Sequence, residues 1–156
     1  MSAILRAMPD VKQAEPEGPA VDCTLAVRYA ETDAQRVVYH GNYIVWFEVG
    51  RTTYCERVGY PYARMEAEGI FITVVDVRAR YRRSARYGDV VTVRTRCSDM
   101  KSRGCSFAYE VLLPGGSLAA EGPIFTCVTK GGRIARKTRR PGMDTSSPNG
   151  YVTRST

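Results

Sequence analysis

YAETDAQRVVYHGNY, residues 29 to 43, joins the end of a strand pattern to the start of a long apolar helix, and the fold prediction starts from this junction. Residues 23–29 alternate apolar and polar side chains, which is typical of a half-buried strand. Beyond the loop, Asn42 or Gly41 is expected to cap a helix that runs to about Val58. Apolar residues recur along it at helical spacing and predict a core helix: Tyr43, Phe47, Gly50, Tyr54 and Val58.

The other side chains of this helix form two groups. Four further apolar residues widen the stripe, so we expect the helix to be covered on most of its circumference: Ile44, Val45, Trp46 and Val49. Four polar residues are expected mostly on another side, as helix-surface neighbours of one another: Glu48, Arg51, Thr52 and Glu56. Glu48 and Glu56 are secondary candidates for a functional carboxylate.

The rest of the chain reads as a short helix and four strands. Pro61 can open a short helix that ends at Gly69. Strands are expected at residues 75–83, 91–97, 105–113 and 124–129. In the strand at 75–83, the odd positions from Val75 to Tyr81 are expected to face inward. Pro123 predicts that the strand at 124–129 begins at a bulge or an edge of the sheet. One apolar helix followed by an antiparallel meander predicts a sheet that curls around the helix.

Length and composition indicate a single domain with a tail at each end. The 156 residues, 44% of them hydrophobic, suit one domain, which we place at residues 22–136. Residues 1–21 and 137–156 lack periodicity and are expected to be flexible tails. The chain contains neither a signal-type apolar stretch nor a run of about 18 apolar residues, so we predict a cytoplasmic protein that does not insert into membranes.

The cysteines and the single histidine argue against redox and metal chemistry. The five cysteines are widely spaced and contain no C-x-x-C pair, which indicates free thiols in a reducing compartment. One histidine leaves few ligands for zinc, so no metal site is predicted. Cys55 or Cys105 would need that histidine as a base, which makes either a poor candidate nucleophile.

The loop between the first strand and the helix carries the candidate chemistry. Asp33 lies just before the helix, whose first amides, near His40 and Gly41, lack partners and lie at the positive end of the helix dipole. A carboxylate beside such amides can serve attack on a carbonyl group. The alternatives from spacing alone are a capping or solvated carboxylate and a structural histidine.

The motif resembles the signature of the 4-hydroxybenzoyl-CoA thioesterase family of the hotdog fold, in particular its small acyl-CoA thioesterases associated with the Tol-Pal system. The resemblance covers about residues 22–135 and includes RYRRSARYGD and SDMKSRGCSF. The residues that carry it are Tyr29, Glu31, Thr32, Asp33, Val37, Val38, Tyr39, His40 and Tyr43.

The resemblance implies an α+β hotdog fold, with a curved antiparallel sheet of about five strands around one long central helix. It implies acyl-CoA hydrolysis without a cofactor, with Asp33 as nucleophile or general base. Tyr29 and His40 would line or orient the site, and the His40 amide would polarise the carbonyl. Substrate contacts are expected at Tyr39, Gly41, Asn42 and Tyr43. The family pattern also implies a site at a subunit interface, in a homodimer or homotetramer.

One departure from the family concerns the turn after Asp33. Gln35 and Arg36 stand where relatives usually have small residues, with glycine at the second position. Arg36 is expected either to take ordinary backbone dihedral angles and point to solvent, or to reach the carbonyl or an acidic carrier.

The net charge of +7 predicts an anionic partner and leaves its class open. The arginines at 78, 80, 82, 83 and 86 are either a solvated strand face or, at Arg82, Arg83 and Arg86, contacts for CoA phosphates. An acyl-carrier-protein substrate fits the charge equally well. A non-catalytic nucleic-acid binder is the second alternative, which we disfavour because the aromatic residues are expected to face inward.

Overall fold

The computed structural model describes residues 19–101 and 104–130. Most of the predicted N-terminal tail, the last residues of the predicted domain and the whole predicted C-terminal tail lie outside these ranges.

One antiparallel sheet and one long helix form the architecture. The sheet has the strand order β1-β4-β5-β6-β2, and the short strand β3 also pairs with β6. The sheet curls around helix α1, which confirms the predicted hotdog fold. The elements, in chain order, are β1 (Val21–Ala26), a 3-10 turn (Tyr29–Glu31), α1 (His40–Arg57), α2 (Tyr62–Ala67), β2 (Ile70–Val77), β3 (Arg80–Tyr81), β4 (Val90–Lys101), β5 (Gly104–Leu112) and β6 (Leu118–Lys130).

The core lies between α1 and the concave face of the sheet. Phe47 stacks on Tyr109 with ring centroids 4.6 Å apart. Gly50 lets the helix approach β4 closely, because a Cβ atom there would collide with Thr95 and Val93. The predicted alternation of β4 and β5 is confirmed by their buried positions: Val91, Val93, Thr95, Cys97, Phe107, Tyr109 and Val111.

Helix α1 begins earlier than predicted. Its first residue is His40 and its N-cap is Tyr39, without a side-chain cap, so the prediction of Asn42 or Gly41 as cap is wrong. The Asn42 side chain donates instead to the backbone carbonyl of Glu31, 2.8 Å away. The predicted coverage of the helix is also too high, since Val45 is 52% exposed and Val58 is exposed as well. The sheet covers one side of the helix only.

The predicted strand at 75–83 is wrong in extent and in facing. A break at residues 78–79 divides it into β2 and β3, and the register shifts between Val74 and Asp76. The shift changes which side chains face the core. Val75, expected inside, is 60% exposed. Because β2 is an edge strand, its apolar side chains lack the cover that the core strands have: Phe71, Val74, Val75 and Val77.

Strand β6 runs through Pro123 rather than starting there, so the prediction of a strand start at that residue is wrong. The Pro123 carbonyl accepts the N–H of Arg78, which lies in the break between β2 and β3. Because the nitrogen and the carbonyl of a strand residue point to the same side, the Pro123 nitrogen faces this break as well. A missing N–H costs little opposite a break in the neighbouring strand.

No helix of the described residues is long and apolar enough to cross a membrane. All five cysteines lie in the described ranges, and none of them forms a disulfide bond.

Candidate active site

The predicted catalytic loop folds into a narrow hairpin at residues 31–39, here called the Asp33 hairpin. Glu31 and Tyr39 close its base, where the Tyr39 N–H donates to the Glu31 carbonyl over 2.9 Å. Thr32 and Val38, the next pair toward the tip, form an antiparallel β-bridge. Asp33 donates its N–H to the Val37 carbonyl, also over 2.9 Å, and thus lies at the tip. Backbone pairing therefore fixes Asp33 relative to the start of α1.

Arg36 takes the backbone conformation of a glycine. Its φ is +61°, so the expectation of ordinary dihedral angles is wrong, although its side chain is exposed as expected. The Arg36 N–H donates to the Asp33 carbonyl over 2.9 Å and closes the turn. A left-handed conformation costs a non-glycine residue roughly 1–2 kcal/mol. The hydrogen bonds of the hairpin hold Arg36 in this conformation.

A cleft of about 390 Å³ lies between the hairpin, the N-terminus of α1 and the segment after β2. It brings together five of the predicted site residues, namely Asp33, His40, Tyr43, Arg82 and Arg83. Its other lining residues were not predicted: Val37, Val38, Tyr81 and Ser84. A carboxylate, a helix N-terminus and two cationic side chains therefore share one cavity.

The Asp33 carboxylate has one oxygen in use and one available. Oδ1 accepts the Gln35 N–H over 2.8 Å, which orients the carboxylate. Oδ2 accepts no hydrogen bond from any residue of the described ranges. This oxygen can attack a carbonyl carbon or accept a proton from water.

The N-terminus of α1 adjoins the same cleft, which His40 lines. Within residues 19–101 and 104–130, the N–H groups of His40 and Gly41 donate to no protein atom. Such amides, at the positive end of a helix, suit an oxygen that gains negative charge. The His40 ring packs 4.2 Å from the Tyr39 ring, and the Tyr81 hydroxyl donates to the His40 carbonyl over 3.0 Å. Tyr81 thus fixes this end of the helix.

Tyr43 joins the core to the cleft. Its hydroxyl accepts the Ala85 N–H over 3.0 Å, and its burial raises the pKa of the phenol. The Val38 N–H donates to the Ala85 carbonyl over 2.9 Å, so the segment that carries Arg82 and Arg83 is tied to both the helix and the hairpin.

Five other predicted site residues do not line this cleft: Tyr29, Tyr39, Gly41, Asn42 and Arg86. Tyr29 is 77% exposed and packs edge-on against Tyr87, with ring centroids 5.7 Å apart. Tyr39, Tyr81 and Tyr87 are exposed too, so the expectation that aromatic residues face inward is wrong for these four. The substrate contacts assigned to Tyr39, Gly41, Asn42 and Arg86 stay predictions, and so does the role of Tyr29 in lining or orienting the site.

A second polar cluster lies further along α1. Arg51, expected on the helix surface, is only 2% exposed, so that prediction is wrong. Arg51 follows Phe47 by four residues, which places it on the buried stripe. Its charge is balanced by Glu48, and its Nε donates to the Tyr62 hydroxyl over 2.6 Å. A pocket of about 180 Å³ adjoins Glu48 and Tyr62.

Cysteine and metal chemistry gain no support from the geometry. Burial raises the pKa of Cys55 to about 11 and also raises the pKa of Cys105, so thiolate is scarce at neutral pH. Among the described residues, no group of three His, Cys, Asp or Glu side chains could hold a metal ion.

Comparison with known proteins assigns the family. The family model of the Thioesterase-like superfamily matches residues 27–143. The chain belongs to this superfamily. "Putative acyl-CoA thioesterase YneP" of Bacillus subtilis is 39% identical over 95 residues, which are 61% of this chain and 69% of YneP. The acyl-CoA thioester hydrolase YbgC of Escherichia coli is 26% identical over 103 residues, 65% of this chain and 77% of YbgC.

A solved thioesterase structure matches as well. The DHNA-CoA thioesterase of Staphylococcus aureus superposes with a TM-score of 0.71 at 35% identity, over 74% of this chain and 77% of that one. The superfamily assignment confirms the thioesterase resemblance that the Asp33 motif indicated, and it makes this chain a thioester hydrolase.

Proposed function

We propose that this thioester hydrolase cleaves acyl-CoA to a carboxylic acid and free CoA, with Asp33 as nucleophile or general base. The observation that carries the proposal is the cleft, which is lined both by Asp33, with one available carboxylate oxygen, and by His40 at the N-terminus of α1, where two amides donate to no atom of the described residues. The relatives named as acyl-CoA hydrolases support the substrate class.

Two routes fit this cleft. As a nucleophile, Asp33 forms a bond to the acyl carbon, the C–S bond breaks, CoA leaves as the thiolate, and water hydrolyses the resulting anhydride. As a base, Asp33 takes a proton from water, whose oxygen attacks the acyl carbon before the C–S bond breaks. In both routes the amides of His40 and Gly41 would stabilise the oxyanion.

The activity is tested with a panel of short, long and aromatic acyl-CoAs, with chromatographic detection of released CoA. The main alternative is a carrier-protein thioesterase. It is tested with the same acyl groups attached to acyl-carrier protein, and a higher kcat/KM for these substrates than for the acyl-CoAs would favour it. If no thioester of either kind is hydrolysed, the proposal is wrong. Oligonucleotide binding with a steep salt dependence would then favour the nucleic-acid alternative. The predicted cytoplasmic location suits acyl-CoA and remains part of the proposal.

Arg83 is the arginine of the cleft best placed to bind CoA phosphates. Arg82 also lines the cleft, but its Nε and Nη2 both donate to Oε1 of Glu121, over 3.0 and 2.7 Å. The Arg83 side chain makes no ion pair or hydrogen bond within the described ranges. A guanidinium without an internal partner keeps its donors for a phosphate.

The variant Arg83→Gln is therefore expected to raise KM for acyl-CoA about ten- to a hundredfold, which corresponds to the roughly 1.5–3 kcal/mol of one hydrogen bond between charged groups. The matched control is Arg80→Gln, since Arg80 is also exposed but does not line the cleft. An N-acetylcysteamine thioester with the same acyl group lacks phosphates and should show no change. An equal rise in KM for both substrates would contradict a phosphate contact at Arg83.

We further propose that the enzyme is a homodimer or homotetramer with β2 at a subunit interface. Edge strands with exposed apolar side chains readily pair with another chain. β2 is such a strand, and the exposed apolar residues on it are Phe71, Val74, Val75 and Val77.

Val75→Lys is expected to shift the mass measured by light scattering toward the 17.3 kDa monomer, because a buried lysine charge opposes association. The matched control is Val90→Lys, an exposed valine on β4 rather than on β2. An assembly that tolerates Val75→Lys would place the interface elsewhere.

A further inference from the structure

Glu31 is a buried carboxylate that the proposed chemistry does not use. It is 5% exposed and lies at the base of the Asp33 hairpin. Three donors hold its carboxylate: the Arg28 N–H at 2.8 Å on Oε2, and Arg28 Nη2 at 3.0 Å and Trp46 Nε1 at 3.2 Å on Oε1. Burial alone would raise the pKa of Glu31, but these hydrogen bonds together hold it below its usual value. The side chain is therefore ionised at neutral pH.

The backbone carbonyl of Glu31 makes two more contacts. It accepts the Tyr39 N–H over 2.9 Å and the Asn42 Nδ2 over 2.8 Å. Side chain and carbonyl together connect the segment after β1, the base of the hairpin and two points on α1. Trp46 and Asn42 lie one turn apart on that helix, so they oppose both tilting and rotation of the hairpin against it.

We propose that Glu31 is a positioning residue that sets Asp33 relative to the N-terminus of α1. This inference rests on the proposed function of Asp33. Asp33 follows Glu31 by two residues, and the paired backbone of the short hairpin connects them directly. A change in the angle of the base is therefore carried to the carboxylate at the tip. Misplacement of a reacting group by about 1 Å can cost about 10²-fold in rate.

The test variant is Glu31→Gln, which keeps the size of the side chain but removes its charge and one acceptor. The new NH₂ group is itself a donor, so it cannot accept the hydrogen bond that the replaced oxygen accepted. We expect kcat per folded molecule to fall about 10- to 100-fold, with KM changed less than about threefold, because positioning acts on the reacting atoms rather than on affinity. Trp46 is the only tryptophan of the chain, so its indole N–H resonance reports the contact directly and should shift.

The matched control is Glu68→Gln, which should leave kcat unchanged, because the Glu68 carboxylate also accepts side-chain hydrogen bonds, from Tyr60 and Arg64, but does not line the cleft. Should Glu31→Gln fail to fold, Asn42→Ala removes one of the two contacts to the Glu31 carbonyl and leaves the buried charge paired. We expect it to lower kcat several-fold and to lower the melting temperature by only a few degrees, the usual effect of losing about one hydrogen bond.

Three results are decisive. A loss of kcat with KM changed less than about threefold supports the proposal, in Glu31→Gln or, where that variant does not fold, in Asn42→Ala, because a lost substrate contact would raise KM. Wild-type kcat in a folded Glu31→Gln whose indole resonance has moved overturns it, while an inactive Asp33→Asn keeps the proposed function intact. If Asp33→Asn is itself fully active, the proposed role of Asp33 fails, and the positioning role that rests on it fails with it.

Discussion

Asp33→Asn is expected to lower kcat for acyl-CoA about 10²- to 10⁴-fold, the range for removal of a catalytic acid–base group. An amide is neither a base nor a useful nucleophile at neutral pH. The fold should be retained, because the side-chain amide of the variant keeps an Oδ1 atom that can accept the Gln35 N–H. The two readouts are kcat from released CoA and the melting temperature, which should stay within a few degrees of the native value.

The matched control is Asp89→Asn. Asp89 also accepts a backbone N–H, that of Arg86, through Oδ2 at 2.8 Å, but it does not line the cleft. It should retain kcat. An Asp33→Asn enzyme with native kcat would remove Asp33 from the mechanism. If Asp33→Asn is inactive, turnover of the native enzyme in heavy-oxygen water separates nucleophilic attack by Asp33 from base-assisted attack by water. Label found in the Asp33 carboxylate after turnover would identify nucleophilic attack.

The second large effect concerns the contact between helix and sheet. Phe47→Ala is expected to lower the free energy of unfolding by about 3–5 kcal/mol, the usual cost of truncating a buried phenylalanine. Phe47 is completely buried and stacks on Tyr109 of β5, so truncation leaves a cavity between α1 and the sheet. Thermal and denaturant unfolding should both report the loss.

Two further variants calibrate this effect. Phe47→Leu refills most of the cavity and should cost less than the alanine variant. Val45→Ala, on the same helix at a position that is 52% exposed, should change stability by less than about 0.5 kcal/mol. Equal losses for Phe47→Ala and Val45→Ala would mean that this face of the helix does not form the core.

The elements with a strong local period were predictable. Strand β4 alternates, and β5 does so from Phe107 onward, because one face packs on the helix and the other does not, and the apolar stripe of α1 has the spacing of a buried helix. The Asp33 motif indicated both the superfamily and the carboxylate that lines the cleft.

Arg51 marks one limit of such reasoning. Charge suggested a surface position, whereas its spacing from Phe47 placed it on the buried stripe, and the structure follows the spacing. Burial of this guanidinium depends on Tyr62, eleven residues away, and on Glu48. Helical spacing was therefore the signal that could have predicted it, and side-chain polarity was misleading.

Periodicity and a contiguous motif were enough to predict the long helix, the paired central strands and the carboxylate that lines the cleft. Three features became visible only in the folded chain: the glycine-like turn at Arg36, the exposed edge of β2 and the hydrogen bond between Ala85 and Tyr43 beside the cleft. The physical reason is that these features arise from backbone closure, from register and from contacts between distant residues. None of these is encoded by the local alternation of polar and apolar side chains.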